Sequence, residues 1–231
     1  FIENGGYQFE RTPDDGHGFI GYEDFVSDPV ANPLSSASGK LEIYCQARYD
    51  LMASFEYDGI EQFKPYPTYV TPCVGYESTF KDGAIGGEKG EYPYIMYNPH
   101  YLRRSHSVFD NCPWLRETWA NPVFLNRKDA EEKGIAEGDT VLISTPAGQG
   151  LRVAAVMDIL MPGVVGVPHG AWVDVDEETG IDRAGSDNYL IGAEYGGMGV
   201  SGYNNQSGNV EKYTGESLKP DCELPPRWSE N

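Results

Sequence analysis

Cysteine, positive charge and long apolar runs are all scarce in this chain of 231 residues. The four cysteines, Cys45, Cys73, Cys112 and Cys222, stand far apart with no Cys-x-x-Cys pair, so no zinc or iron–sulfur site can be read from them. Isolated thiols in packing positions are the plain reading, and a disulfide is left open without a connectivity. Seventeen Lys and Arg face thirty-six Asp and Glu, a formal net charge of −19, which argues against nucleic acid and anionic membrane surfaces as partners. No apolar run is long enough to span a bilayer, and no signal-peptide pattern opens the chain at Phe1. Catalytic signatures are missing as well. There is no Gly-x-Ser-x-Gly elbow, no His-Glu-x-x-His helix and no supported cysteine–histidine pair, so no residue is assigned a catalytic role.

Glycine (28), proline (16) and tyrosine (16) are plentiful, whereas long helical periodicity is not. That combination favours short strands and many turns over a helical bundle. Residues 1–24 are rich in glycine and acid and predict no regular structure; His17 there reads as a solvated loop histidine. Ser38 to Tyr44 predicts a turn and an alternating strand, the edge of a hairpin. A short helix is expected between Arg48 and Gln62, and the prolines at 65, 67 and 72 predict extended coil. Lys81 to Gly90 is polar and glycine-rich, the best boundary before a compact domain.

Further along, Asn126 is a good N-cap with Asp129 three residues on, a variant of the capping box. A helix over 127–133 closed by Gly134 follows. Thr140 to Ser144, Leu151 to Val156 and the β-branched run Val164 to Val167 predict strands. The acids Asp174, Asp176, Glu177, Glu178 and Asp182 read as a solvated turn, since their spacing misses the calcium-loop pattern. The glycines between Gly192 and Gly202 permit close backbone approach to a ligand or another chain, but lack the lysine and context of a phosphate loop. Residues 1–90 are thus an irregular leading segment with a hairpin, 91–213 a closed β-barrel domain with small helices, and 214–231 a polar tail.

The densest stretch runs from Tyr94 to Ile143. Its core, Tyr97-Asn98-Pro99-His100-Tyr101-Leu102-Arg103-Arg104-Ser105-His106-Ser107, packs hydrogen-bonding side chains and two adjacent cations between apolar flanks. Five of the seventeen basic residues (Arg103, Arg104, Arg116, Arg127, Lys128) fall between positions 103 and 128, so a wall for a large, polar, anionic ligand is expected despite the net charge. Plainer roles exist for each residue: His106 and the tryptophans Trp119 and Trp172 as core, Asn126 as a cap, and Arg103 or Arg104 as exposed charges paired on an acidic surface.

The ordered series His106-Ser107, Asn111-x-Pro113-Trp114-Leu115-Arg116-Glu117, Asn121-Pro122-Val123-x-x-Asn126 and Asp129-Ala130-x-x-x-Gly134-Ile135-x-x-Gly138-Asp139 resembles the C-terminal domain of the dimethyl sulfoxide reductase family. The resemblance extends from about Phe25 to about Tyr213. It implies a mainly β domain, a closed six-stranded double-psi β-barrel, that binds molybdopterin guanine dinucleotide with molybdenum or tungsten. It places Asn98, Arg104, Ser105, His106 and Ser107 along the pterin and phosphate wall, Asn126 near the dinucleotide, and Asn188, Gln206 and Asn209 on the far side. Arg127 stands where the family commonly has proline, which leaves the helix start intact and offers a local phosphate contact.

Such a segment holds a cofactor and does not turn over alone. The implied enzyme performs a two-electron reduction or transfers oxygen or hydroxyl, on sulfoxides, N-oxides or aromatic rings. The implied partners are the remaining domains of the same catalytic subunit and an iron–sulfur electron-transfer subunit, with no nucleic acid and no direct membrane contact. Export in the folded state is favoured over a cytoplasmic location, and the chain is expected to be a piece of a longer one. Two other readings stand beside this one: a secreted acidic β-rich binding module, and a barrel used purely for subunit contact.

Overall fold

The computed structural model describes residues 20–55, 63–69, 74–192, 204, 206–225 and 227. It divides into two compact parts, Phe1–Thr68 and Tyr69–Asn231.

In the first part the helices are α1 (Glu23–Ser27) and α2 (Gln46–Ala53), and neither buries a residue. The helix expected after Arg48 therefore begins two residues earlier. The hairpin edge expected at 38–44 does not form among the described residues. Leu41, Ile43 and Tyr44 are exposed, and among the described residues the long-range backbone bond nearby is Cys45 N–H to Pro65 O at 2.6 Å. Alternation alone does not make a strand when no second strand takes its backbone groups.

The second part is built on seven strands: β1 (Tyr94–Tyr97), β2 (Pro122–Asn126), β3 (Thr140–Ser144), β4 (Gln149–Met157), β5 (Val164–Gly166), β6 (Ile181–Asp182) and β7 (Gln206–Lys212). Hydrogen bonding runs β2-β5-β1-β7-β3-β4 and returns from β4 to β2, closing six strands into a barrel with β6 attached to β4. Two of the ring pairings are parallel, β1 with β5 and β2 with β4; the others are antiparallel. Each parallel pair needs a crossover, and the two crossovers on one small ring give the double-psi barrel that the resemblance implied. Val123, Val141, Ile143, Leu151, Val165, Val167 and Val210 fill the interior and are essentially inaccessible to water. These β-branched and leucine side chains supply most of the apolar burial that holds the ring together.

Short helices decorate the barrel: α3 (Pro113–Thr118), α4 (Arg127–Glu132) and α5 (Asp187–Leu190). Asn126 caps α4, its side-chain oxygen accepting the Lys128 N–H at 2.8 Å while Nδ2 donates to Leu160 O at 2.6 Å. Asp129 does not close a capping box; its carboxylate accepts the Gly163 N–H at 2.7 Å and ties α4 to the turn before β5. Asn126→Ala removes both bonds and should cost about 1–2 kcal/mol of stability. A denaturant midpoint equal to wild type would show the cap to be idle.

Candidate functional site

The chain leaves β1 and β5 side by side, and the parallel pairing continues past both strands. Val167 N–H donates to Tyr97 O at 2.8 Å and His169 N–H to Pro99 O at 2.9 Å. That register carries His100 and His169 to the same end of the barrel, where the 105–108 turn brings His106. The ring centroids of His106 and His169 lie 4.4 Å apart, and His100 is 5.6 Å from each. Backbone conformation is unusual here, with His106 at φ 54°, Phe109 at 72° and Ala171 at 111°. Left-handed conformations at non-glycine residues hold only where surrounding contacts over-determine them.

The contact that organises this end is Asp187, fully buried at the start of α5. Its carboxylate accepts Gly170 N–H at 2.8 Å, Asn188 N–H at 3.0 Å, His169 Nδ1–H at 2.8 Å and Asn98 Nδ2–H at 3.4 Å. His169 Nε2 and His106 Nδ1 share a hydrogen bond; when the His169 ring is neutral its Nδ1–H goes to Asp187, so Nε2 is the acceptor and His106 donates to it from Nδ1. His106 is exposed, and this tautomer turns its Nε2 into an acceptor. A buried negative charge is thereby linked through two imidazoles to the surface.

Arg152 fixes the same loops from below. It lies wholly inside the barrel wall and donates to the carbonyls of Gly185 (2.9 Å), Pro122 (3.0 Å), Pro168 (2.8 Å) and Gly170 (3.4 Å). Burial, followed by the nearby Arg104, pulls its guanidinium down to about 9, still protonated at neutral pH. Asp182 is also fully buried. Burial raises its carboxyl above the ordinary value against the N–H donors of Asp174, Ser186 and Ala184.

Beside the histidines opens a cleft of about 730 Å³, with Ser107, Trp172, Asp174, Ser186, Asn188 and Arg227 in its lining. One rim therefore carries a guanidinium and another a carboxylate, which suits a ligand with an anionic portion and a hydrogen-bond-donating edge. Ser186 Oγ and Arg227 Nε, both in this lining, and Asn98 Oδ1 are buried without a hydrogen-bond partner. Such atoms are costly unless something meets them. Trp172 is 38% exposed, with its Nε1 donating to Ser107 O at 3.1 Å. It is a face of the cleft and not the core residue expected; Trp119, half-buried, packs edge-on against Tyr101.

Arg103 and Arg104 are not exposed charges either. Both are buried, Arg104 donating to Asp110 at 2.6 Å and to Asn121, Arg103 to Asp110 at 3.3 Å and to Asp221. Burial, the largest effect, lowers Arg104 to about 10 although Asp110 opposes it. Burial alone would raise the Asp110 carboxyl, but Arg104, Arg103 and Arg227, with the Trp172 N–H, together hold it below its ordinary value.

The residues singled out from sequence thus fall into groups. Asn98, His106, Ser107 and Asn188 converge on Asp187, His169 and the cleft. Ser105 is exposed in the turn beside them, its carbonyl accepting Val108 N–H at 2.9 Å. Arg104 lies beneath, inside the ionic cluster. Asn126 is occupied as a cap. Gln206 is buried on β7 opposite Met96, and Asn209 lines a separate recess of about 420 Å³ while accepting Lys133 Nζ at 3.0 Å. Arg127 is taken by Asp158 at 2.7 Å. His17 and most of the glycine-rich run at 192–202 lie outside the described residues. Asp187, His169, Ser186, Arg152 and Arg227 are site residues that sequence reading missed. Only Arg152 left a signal, a lone cation between Leu151 and Val153 in an otherwise apolar strand.

The six-stranded barrel thus carries strained loops, a buried carboxylate–imidazole chain and a two-signed cleft at one end. Residues 94–203 match the family model described as the Molydopterin dinucleotide binding domain. The chain is 36% identical over 182 residues to dimethyl sulfoxide reductase DmsA of Escherichia coli K12, covering 79% of this chain and 21% of that protein. It is 31% identical over 225 residues to the dimethyl sulfoxide/trimethylamine N-oxide reductase of Cereibacter sphaeroides, covering 93% and 25%. Among solved structures it is similar to acetylene hydratase from Pelobacter acetylenicus, with a TM-score of 0.58, 20% identity, and 80% and 25% of the two chains covered. The chain belongs to the dimethyl sulfoxide reductase family of molybdopterin-dependent oxidoreductases and carries its dinucleotide-binding domain. The cofactor of that domain is molybdopterin guanine dinucleotide with molybdenum. The chain spans about a fifth to a quarter of the length of the curated relatives it matches.

Proposed function

We propose that this domain holds molybdopterin guanine dinucleotide in the cleft beside His106 and Asn188, as part of an enzyme that reduces sulfoxides or N-oxides or moves oxygen or hydroxyl. The observation that carries the reading is the convergence of His106, His169 and Asp187 at the rim of a cleft whose walls leave buried polar atoms unmet. The cofactor, when bound, supplies the two-electron chemistry of its metal. Everything else is positioning by this chain. Ser107, Ser186 and Asn188 offer donors and acceptors along one wall. Trp172 offers a flat face against a ring. The His106 acceptor, set by His169 and Asp187, reads a donor on the ligand's edge. Asn126 and Asn209 have other partners and are left out of this site. The remaining domains of the same subunit and an iron–sulfur subunit are the partners this role calls for, and export after folding is the compatible location.

In the full-length enzyme, His106→Ala and Asn188→Ala should each lower guanine nucleotide and molybdenum content together, by roughly two- to tenfold after gel filtration. Content equal to wild type in both variants would refute the placement. Wild-type protein that releases no guanine nucleotide on acid denaturation would refute the cofactor reading itself.

A further inference from the structure

The Asn111-Cys112-Pro113-Trp114-Leu115-Arg116 motif bonds a segment outside the matched stretch of 94–203. Arg116 donates from Nε to Asp110 O at 2.8 Å and from Nη1 to Leu224 O at 3.3 Å and Pro225 O at 3.1 Å. Asn111 makes a two-point match with the Arg227 backbone, donating to its carbonyl at 2.8 Å and accepting its N–H at 2.9 Å. Arg116 also donates to Asn111 Oδ1 at 2.8 Å, which holds that amide in place. Residues 221–225 and 227 are therefore seated by side chains that serve no other segment so fully. The polar tail expected from sequence is, at Leu224, Pro225 and Arg227, part of the cleft wall.

The charge at that wall is unbalanced. Among the described residues, Arg103, Arg104 and Arg227 pair with two carboxylates, Asp110 and Asp221, and Arg116 beside them bonds carbonyls and Asn111 without an ion pair. Of these four guanidiniums, Arg227 alone lines the cleft. Its Nη1 reaches Asp110 at 3.1 Å and its Nη2 reaches Asp221 at 2.9 Å, while Nε has no partner. An arginine has five N–H donors, so two bonds leave most of its fork unspent. Two carboxylates hold it rigid without neutralising the surplus behind it. A preorganised fork that carries uncompensated charge is the arrangement that recognises phosphate.

We propose that Arg227, held against the barrel by Asn111 and Arg116, is an anion-binding residue for the pyrophosphate portion of the dinucleotide in this cleft. This inference rests on the cofactor reading above and adds to it a residue and a segment. The test uses the full-length holoenzyme and follows loss of guanine nucleotide into buffers of increasing salt. Arg227→Gln should release it roughly tenfold faster, with a shallower dependence on salt. Arg227→Lys keeps the charge but cannot span both carboxylates. It should hold the nucleotide longer than Arg227→Gln and keep the wild-type salt dependence. If wild type releases nucleotide and Arg227→Gln retains it equally well, the inference is wrong. Equal losses in the glutamine and lysine variants would make Arg227 a structural bridge and overturn it too. Wild-type enzyme without guanine nucleotide would instead remove the cofactor reading on which it stands.

Discussion

Asp110→Asn should destabilise the folded domain by about 3–5 kcal/mol, the largest single-residue effect expected in this chain. The side chain is sealed from water and faces Arg103, Arg104 and Arg227 at 3.3, 2.6 and 3.1 Å, with the Trp172 N–H at 3.1 Å. Asparagine keeps the shape but removes the charge, and its amide turns a donor toward guanidiniums that can only donate. Three buried cations then share what Asp221 alone can offer.

The loss has a pH signature. The Asp110 carboxyl lies below its ordinary value of 3.8 in the folded state. Its stabilisation is therefore complete above about pH 4 and is lost as pH falls through the lower folded value. Asp182 has the opposite sign. Burial lifts it above 3.8, so its cost appears as pH rises through that raised value and is relieved on acidification. The difference between wild type and Asp110→Asn isolates the first group: a wide gap in urea midpoint at pH 7 that closes below pH 4. A variant within 1 kcal/mol of wild type at pH 7 would show that the arginines repair their own balance and that the cluster is not a keystone.

What could be read in the sequence follows from where the side chains spend their chemistry. Thr140 to Ser144 was legible as β3 because its apolar positions face one core; the same holds for β4 and β5, where β-branched residues dominate. The 127–133 helix was legible from its cap. β7 was not. Gln206, Ser207, Gly208 and Asn209 look like loop, and they are a strand only because β1 and β3 flank them with unpaired edges. Gly208 fits there for a reason no local pattern shows: a Cβ would meet Met96 Sδ at 2.1 Å and Ser144 O at 3.0 Å, so the methionine would have to move.

The site divides in the same way. Asn98, His106, Ser107 and Asn188 were found through a resemblance, and their convergence depends on the β1–β5 pairing, which is non-local. Asp187 looked like one acid among thirty-six, since burial and not identity gives it its role. Arg103 and Arg104 were read as ligands or surface charges. They are interior because Asp110, a few residues on, folds back beneath them. In an acidic chain the useful carboxylates cannot be told from the solvating ones until burial is known.

Gly170→Ala should abolish cofactor retention while costing about 2–5 kcal/mol of stability, from overpacking and left-handed strain together. Gly170 has φ +92°, and an added Cβ would lie 1.7 Å from His106 O and 2.3 Å from its carbonyl carbon. Neither atom is the end of a flexible side chain, so the 105–108 turn has to move. Gly170 is pinned by its N–H to Asp187 at 2.8 Å and its carbonyl to Arg152; the displacement falls on His106. That breaks the His106–His169 bond and turns the exposed acceptor away from the cleft. Gly163→Ala is the matching control. It has φ +81° but nothing within 4 Å of its Cβ, so it should cost only about 1–2 kcal/mol of backbone strain and leave nucleotide content intact. If both alanines lower content equally, the close approach of the 170 and 106 backbones is incidental to the site. If Gly170→Ala alone empties the enzyme, then the strained turn and the loop after β5 form one device, in which glycine lets a buried carboxylate set the orientation of a surface imidazole.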